Sequence, residues 1–68
     1  MNNITPFEDL PSGLQTIFIK LVEDDPYGLN PSTLYNNTLL TAQNSGVDKA
    51  VEFMHVPRKV VNDILNQN

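Results

Sequence analysis

The sequence predicts an all-α fold, a compact bundle of four short helices, and three observations carry that reading. Apolar residues recur at helical spacing in several separate stretches. Proline, glycine and asparagine punctuate the intervals between them. No alternating apolar run of useful length occurs, so no sheet is expected. A chain of 68 residues has room for one domain only, so residues 1–68 are read as a single helical domain.

Residues 1–9 read as a loose lead-in, because Pro6 and the asparagines Asn2 and Asn3 oppose regular structure. Phe7 is the exception, an aromatic expected to fold back onto the core. Residues 10–23 form the clearest helix, with Leu10, Leu14, Ile17, Phe18, Leu21 and Val22 along one stripe. Its start is open between two choices: Pro11 in the first turn, or a capping box of Ser12 with Gln15. It is expected to stop at Asp24-Asp25-Pro26, since a residue before proline avoids the helical region.

Asn30-Pro31 predicts a second helix start, with Asn30 as N-cap and Pro31 at the first helical position. This helix should run from Pro31 to about Gln43, facing inward with Leu34, Tyr35, Leu39 and Ala42 and carrying Leu40 at its edge. Asn36, Asn37, Thr38 and Thr41 are poor helix formers, so neighbours must hold it in place. Asn44-Ser45-Gly46 breaks it. Ser45 with Asp48 then resembles the cap of a third helix, with Val47, Ala50, Val51 and Met54 inward. His55-Val56 forms a short break. Pro57 opens a last helix lined by Val60, Val61, Ile64 and Leu65.

Composition excludes several classes of function. There is no cysteine, so no disulfide, and with the single histidine His55 a zinc site of the usual His/Cys kind is excluded. Glycine-rich phosphate loops, paired catalytic carboxylates and metal-ligand spacings are absent, so neither an enzyme nor a cofactor is expected. Nothing approaches the roughly 20 apolar residues that span a bilayer, and Met1–Pro6 has neither the basic nor the apolar region of a signal peptide. A cytoplasmic protein without membrane contact is the expectation. Stability must come from packed apolar side chains, helped by self-association in so small a domain.

The net charge is −4, and its distribution is uneven. Residues 1–44 carry Glu8, Asp9, Glu23, Asp24 and Asp25 against Lys20 alone. Residues 45–68 balance Lys49, Arg58 and Lys59 against Asp48, Glu52 and Asp63. An acidic protein is repelled by nucleic acid at long range, so any contact with DNA must use the C-terminal third.

That third carries a resemblance. Residues 48–65, Asp-Lys-Ala-Val-Glu-Phe-Met-His-Val-Pro-Arg-Lys-Val-Val-Asn-Asp-Ile-Leu, resemble the helix-turn-helix of the homeodomain-like DNA-binding superfamily. Ala50, Val51 and Met54 match the buried side of the first helix, His55 the turn, Val56 the hydrophobic residue after it, and Val61 with Ile64 or Leu65 the buried positions of the second. The turn holds histidine where that family usually has glycine, and Val56-Pro57 stands where a serine or threonine cap is usual. The resemblance implies a second helix lying in the major groove of double-stranded DNA. Its exposed residues would be Arg58, Lys59, Asn62 and Asn66, with Lys49 beside them. Arginine and lysine suit phosphate or guanine and asparagine suits adenine. A small DNA-binding regulator, in a setting such as a phage or other mobile element, is the first functional expectation.

The alternative is a protein-binding module that modulates a larger host or viral complex. Glu23, Asp24 and Asp25 would form an anionic contact, although a solvated loop explains them as well. Phe53 lies off its helix's stripe and either packs against the first helix or stays partly exposed at a homodimer contact. Residues 7–21, from Phe7-Glu8-Asp9-Leu10-Pro11 to Leu21, are also similar to the opening helix of an F-box, which would imply docking on a ubiquitin-ligase adaptor; the leucine-rich segment and tryptophan that follow in that family are missing. Tyr27 and Tyr35 could stack on bases, but packing is the expected role of each.

Overall fold

Prolines stand at the start of three of the four helices, where a missing N–H costs nothing. The computed structural model describes residues 4–24 and 28–68. A 3-10 turn at Phe7–Asp9 is followed by α1 (Ser12–Glu23), α2 (Pro31–Ser45), α3 (Val47–Met54) and α4 (Arg58–Gln67). Among the described residues there is no strand, and the all-α bundle of four short helices is as the sequence predicts. Pro11 and Pro57 occupy the extended position just before α1 and α4, and Pro31 is the first residue of α2.

The caps decide where each helix begins. Asn30 accepts a hydrogen bond from the Thr33 amide at 2.9 Å, the expected N-cap of α2. The box of Ser12 with Gln15 does not form. Ser12 lies inside α1, and Gln15 Nε2 instead donates to the carbonyls of Leu10 (2.8 Å) and Glu8 (3.1 Å). Gln15 thereby ties α1 back to the 3-10 turn. The cap expected at Ser45 with Asp48 is also absent. Helix α2 continues two residues past Gln43 and absorbs Ser45, so the break falls on Gly46 alone, at φ 98° and ψ 163°. Only glycine adopts that conformation readily, which lets one residue end α2 and start α3.

Helix α2 is the centre of the bundle and contacts α1, α3, α4 and the 3-10 turn. Its poor helix formers are held by those neighbours. Tyr35 and Leu39 have no exposed surface, and Leu34 and Ala42 are buried beside them. The inward stripe is wider than expected, because Thr38 is also fully buried. Its Oγ1 donates to the Leu34 carbonyl at 2.7 Å, so the hydroxyl enters the core already satisfied. Leu40 is exposed at the edge, as its position predicts.

Around Tyr35 the rings of Phe7 and Phe18 close an aromatic trio. Their centroids lie 6.0 and 5.8 Å from that of Tyr35, and Phe7 meets Phe18 edge-on at 6.3 Å. Phe7 does fold back onto the core. The described part of the lead-in, residues 4–9, is not loose. The Thr5 amide donates to Asn68 Oδ1 at 2.7 Å, its hydroxyl to the Gln67 carbonyl at 3.1 Å, and its own carbonyl accepts from Tyr35 Oη at 2.7 Å. One edge of this segment is thus fastened to the end of α4.

Ile17 departs from the expected core. It is 36% exposed, because α1 buries the narrow pair Leu14 and Phe18, and Ile17, one residue before Phe18, points about 100° around the helix from it, at the rim facing α4. Leu21, Val51, Met54 and Leu65 are partly buried and pack against the core, while Leu10, Ala50, Val56, Val60, Val61 and Ile64 lie within it. Helix α1 ends at Glu23, followed by Asp24. Asp25, Pro26 and Tyr27, and the roles expected of them, lie outside the described residues. Among the described residues, no helix is long and apolar enough to cross a membrane.

Candidate nucleic-acid interface

The turn between α3 and α4 is built by two residues with opposite tasks. His55 takes the left-handed conformation, φ 56° and ψ 36°, and is the only described non-glycine residue with positive φ. Its amide donates to the Val51 carbonyl at 3.1 Å, which closes the last turn of α3. Histidine tolerates this region better than a branched side chain does, though less well than glycine. Val56 is 1% exposed and plugs the turn into the core. Pro57 then fixes the entry to α4.

Burial on α3 and α4 sets which residues face out. Ala50 has no exposed surface, and its small side chain lets α3 approach α2 and α4 closely. Val60, Val61 and Ile64 are the buried side of α4. With 3.6 residues per turn, that leaves Arg58, Lys59, Asn62 and Asn66 outward, and all four are exposed. The structure therefore brings the four expected side chains of α4 to its exposed side.

Their surroundings differ. The Arg58 guanidinium is not free, contrary to expectation: Nη2 lies 2.5 Å from Asp48 Oδ1, with the two side chains 58% and 82% exposed. The reason is geometric. The turn folds α4 back so that the Arg58 side chain reaches the first turn of α3, where Asp48 projects. Lys59 has no ion pair among the described residues. Lys49 is on α3, with Nζ 5.4 Å from the centroid of the Phe53 ring, and so covers that ring rather than extending α4's row of donors. Asn66 also borders a shallow groove between α4 and α1, with Pro11, Leu14 and Ile17 on its other wall and the half-buried Asp63 beside it. The face is therefore mixed in charge.

The residues considered for protein contact are also placed. Phe53 is 60% exposed, which decides between its two expected positions: it does not pack into the core. Glu23 and Asp24 are exposed at the end of α1. Tyr35, being fully buried, is a core residue and cannot stack on a base. Among the described residues no group of three or more His, Cys, Asp or Glu side chains could hold a metal ion, and every buried side-chain polar atom has a partner. No family model, curated protein or solved structure matches this chain.

Sequence reasoning placed Asp48 at a helix cap and missed it as the partner of Arg58. The signal was an opposite-charge pair ten residues apart across a predicted turn. It becomes a contact only if the turn reverses the chain, which pattern alone does not fix.

Proposed function

We propose that this chain is a small non-enzymatic DNA-binding regulator that lays α4 in the major groove of double-stranded DNA. The observation that carries the reading is the joint between α3 and α4. A left-handed residue at His55, a buried Val56 and a fully buried Ala50 hold two short helices together while one side of α4 stays open. That side presents two cations and two amides, Arg58, Lys59, Asn62 and Asn66. Such groups suit phosphate positioning and base-edge readout.

Charge sets the expected strength. With Lys59 and an Arg58 released from Asp48 as the cations of α4, the chain makes about two phosphate contacts, so binding falls with log[salt] at a slope of roughly −2 per protomer. Fluorescence anisotropy on a random 20-base-pair duplex, titrated at several low salt concentrations, tests this. Lys59→Ala should weaken binding across all sequences and flatten the slope by about one. A wild-type chain that leaves the duplex free at the lowest salt rules the DNA reading out.

A second reading follows from Phe53. A phenylalanine ring 60% exposed on a helix, with the Lys49 ammonium over one face, is the kind of anchor that protein interfaces use. On that reading the same scaffold docks on a protein, a second copy of this chain included. Sedimentation of the wild type and of Phe53→Ser separates self-association from a monomer.

A further inference from the structure

We propose that Asp48 is a built-in competitor for phosphate, holding Arg58 out of the α4 binding row until a phosphate displaces it. This inference rests on the DNA reading of α4. Asp48 and Arg58 form the one ion pair among the described residues. Asp48 lies six residues before Met54, where α3 ends, a rise of about 9 Å along the helix. Arg58 is the first residue of α4, beyond the turn. To meet Asp48 its side chain must lie back along α3, away from the line of Lys59 and Asn62. A carboxylate accepts from a guanidinium with the geometry a phosphate offers, so the pair occupies the group that DNA would need.

The pair is poised for exchange. Both side chains are more than half exposed, and among the described residues neither has a further side-chain hydrogen bond that would lock it. An exposed pair of this kind is weak and easily traded. The device therefore lowers affinity for every duplex by a modest factor, the cost of trading the carboxylate for a phosphate.

A thermodynamic cycle on duplex affinity tests the idea. Asp48→Asn should tighten binding of the random 20-base-pair duplex by about three- to fivefold. Removing any negative charge near the duplex strengthens binding somewhat, so Glu52→Gln, on the same helix and without an ion partner among the described residues, measures that general effect. The expected result is a larger gain for Asp48→Asn than for Glu52→Gln, and loss of the excess in an Arg58→Gln background. All the substitutions are at exposed positions, and circular dichroism confirms that the fold is kept. Equal gains from Asp48→Asn with and without Arg58 overturn the competitor role and leave DNA binding standing. Weaker binding by Asp48→Asn also overturns it, since Asp48 would then be orienting Arg58 for the duplex. Absence of binding by every variant overturns both this inference and the DNA reading beneath it.

Discussion

The Tyr35 hydroxyl donates to the carbonyl of Thr5 at 2.7 Å, thirty residues earlier in the chain, and in turn accepts from Asn68 Nδ2 at 3.1 Å. One oxygen at the bottom of the aromatic trio thus connects the N-terminal segment, α2 and the end of α4. Asn68 extends the connection by donating to the Ile64 carbonyl at 2.7 Å, which closes the last turn of α4. Tyr35→Phe keeps the ring and removes the connection. Thr5 loses a donor in a part-buried site, and the cost is about 1–2 kcal/mol. In a domain of this size that lowers the thermal midpoint by about 4–8 °C per kcal/mol. Asn68→Ala acts on the same network, so the double variant should cost less than the sum of the two, as read from urea unfolding curves.

Two residues with positive φ make opposite predictions. Gly46 sits at φ 98° and ψ 163°, where a side chain is strained even though a Cβ there would meet open space. Gly46→Ala should therefore cost about 1–3 kcal/mol. His55, at φ 56° and ψ 36°, already bears the strain of a side chain in the left-handed region. His55→Gly relieves it and gains up to about 1 kcal/mol, after the entropy that glycine adds to the unfolded chain. His55→Val, branched at Cβ, should lose stability. Chemical denaturation of the three variants checks the signs, and a destabilised His55→Gly would mean that the imidazole makes a contact of its own.

Those two positions also show what the sequence makes legible. Proline, asparagine and glycine act locally, so the start of α2 at Asn30-Pro31 and the break at His55-Val56 could be read directly. Helical spacing located every helix. What could not be read depends on neighbours in space. Thr38 reads only as a poor helix former outside the inward stripe until its hydroxyl is seen to be satisfied by the Leu34 carbonyl within the same helix. Ile17 belongs to the apolar stripe of α1, yet α1 is covered along a narrower line than the stripe is wide. Ser45 offers a capping hydroxyl, but the α2 hydrogen bonds run through it to Gly46, whose amide donates to the Ala42 carbonyl at 3.0 Å. For the candidate interface, spacing identified the exposed side chains of α4, while the partner of Arg58 needed the turn's three-dimensional path.

Phe53 separates the two functional readings without disturbing the fold. Its ring is mostly exposed, so Phe53→Ser should change stability by no more than about 0.5 kcal/mol. If Phe53 anchors a protein contact, the same substitution removes association at concentrations where the wild type sediments as more than a monomer. If α4 binds DNA, duplex affinity should stay within about twofold of wild type, because a lone ring on α3 carries no charge. Measuring both on one preparation assigns the face. A large loss of stability would show that the ring is buried in solution.

Ala50 tests the joint between α3 and its neighbours. It has no exposed surface, and methyl-sized bulk is what allows α3 to sit close to both α2 and α4. Leucine is a good helix former, so Ala50→Leu leaves the intrinsic preference of α3 nearly unchanged. Its three extra carbons must instead push α3 outward or force strained rotamers, at a cost of about 1–3 kcal/mol. A displaced α3 would also shift the turn at His55 and the start of α4, so duplex affinity should fall together with the thermal midpoint. Ala50→Gly supplies the contrast: it costs about 1 kcal/mol through helix propensity and backbone entropy but leaves the close approach intact, so the duplex should still be bound. Equal melting of Ala50→Leu and wild type would mean that α3 is not pressed against the bundle, and the open side of α4 would then lack the rigid support that readout requires.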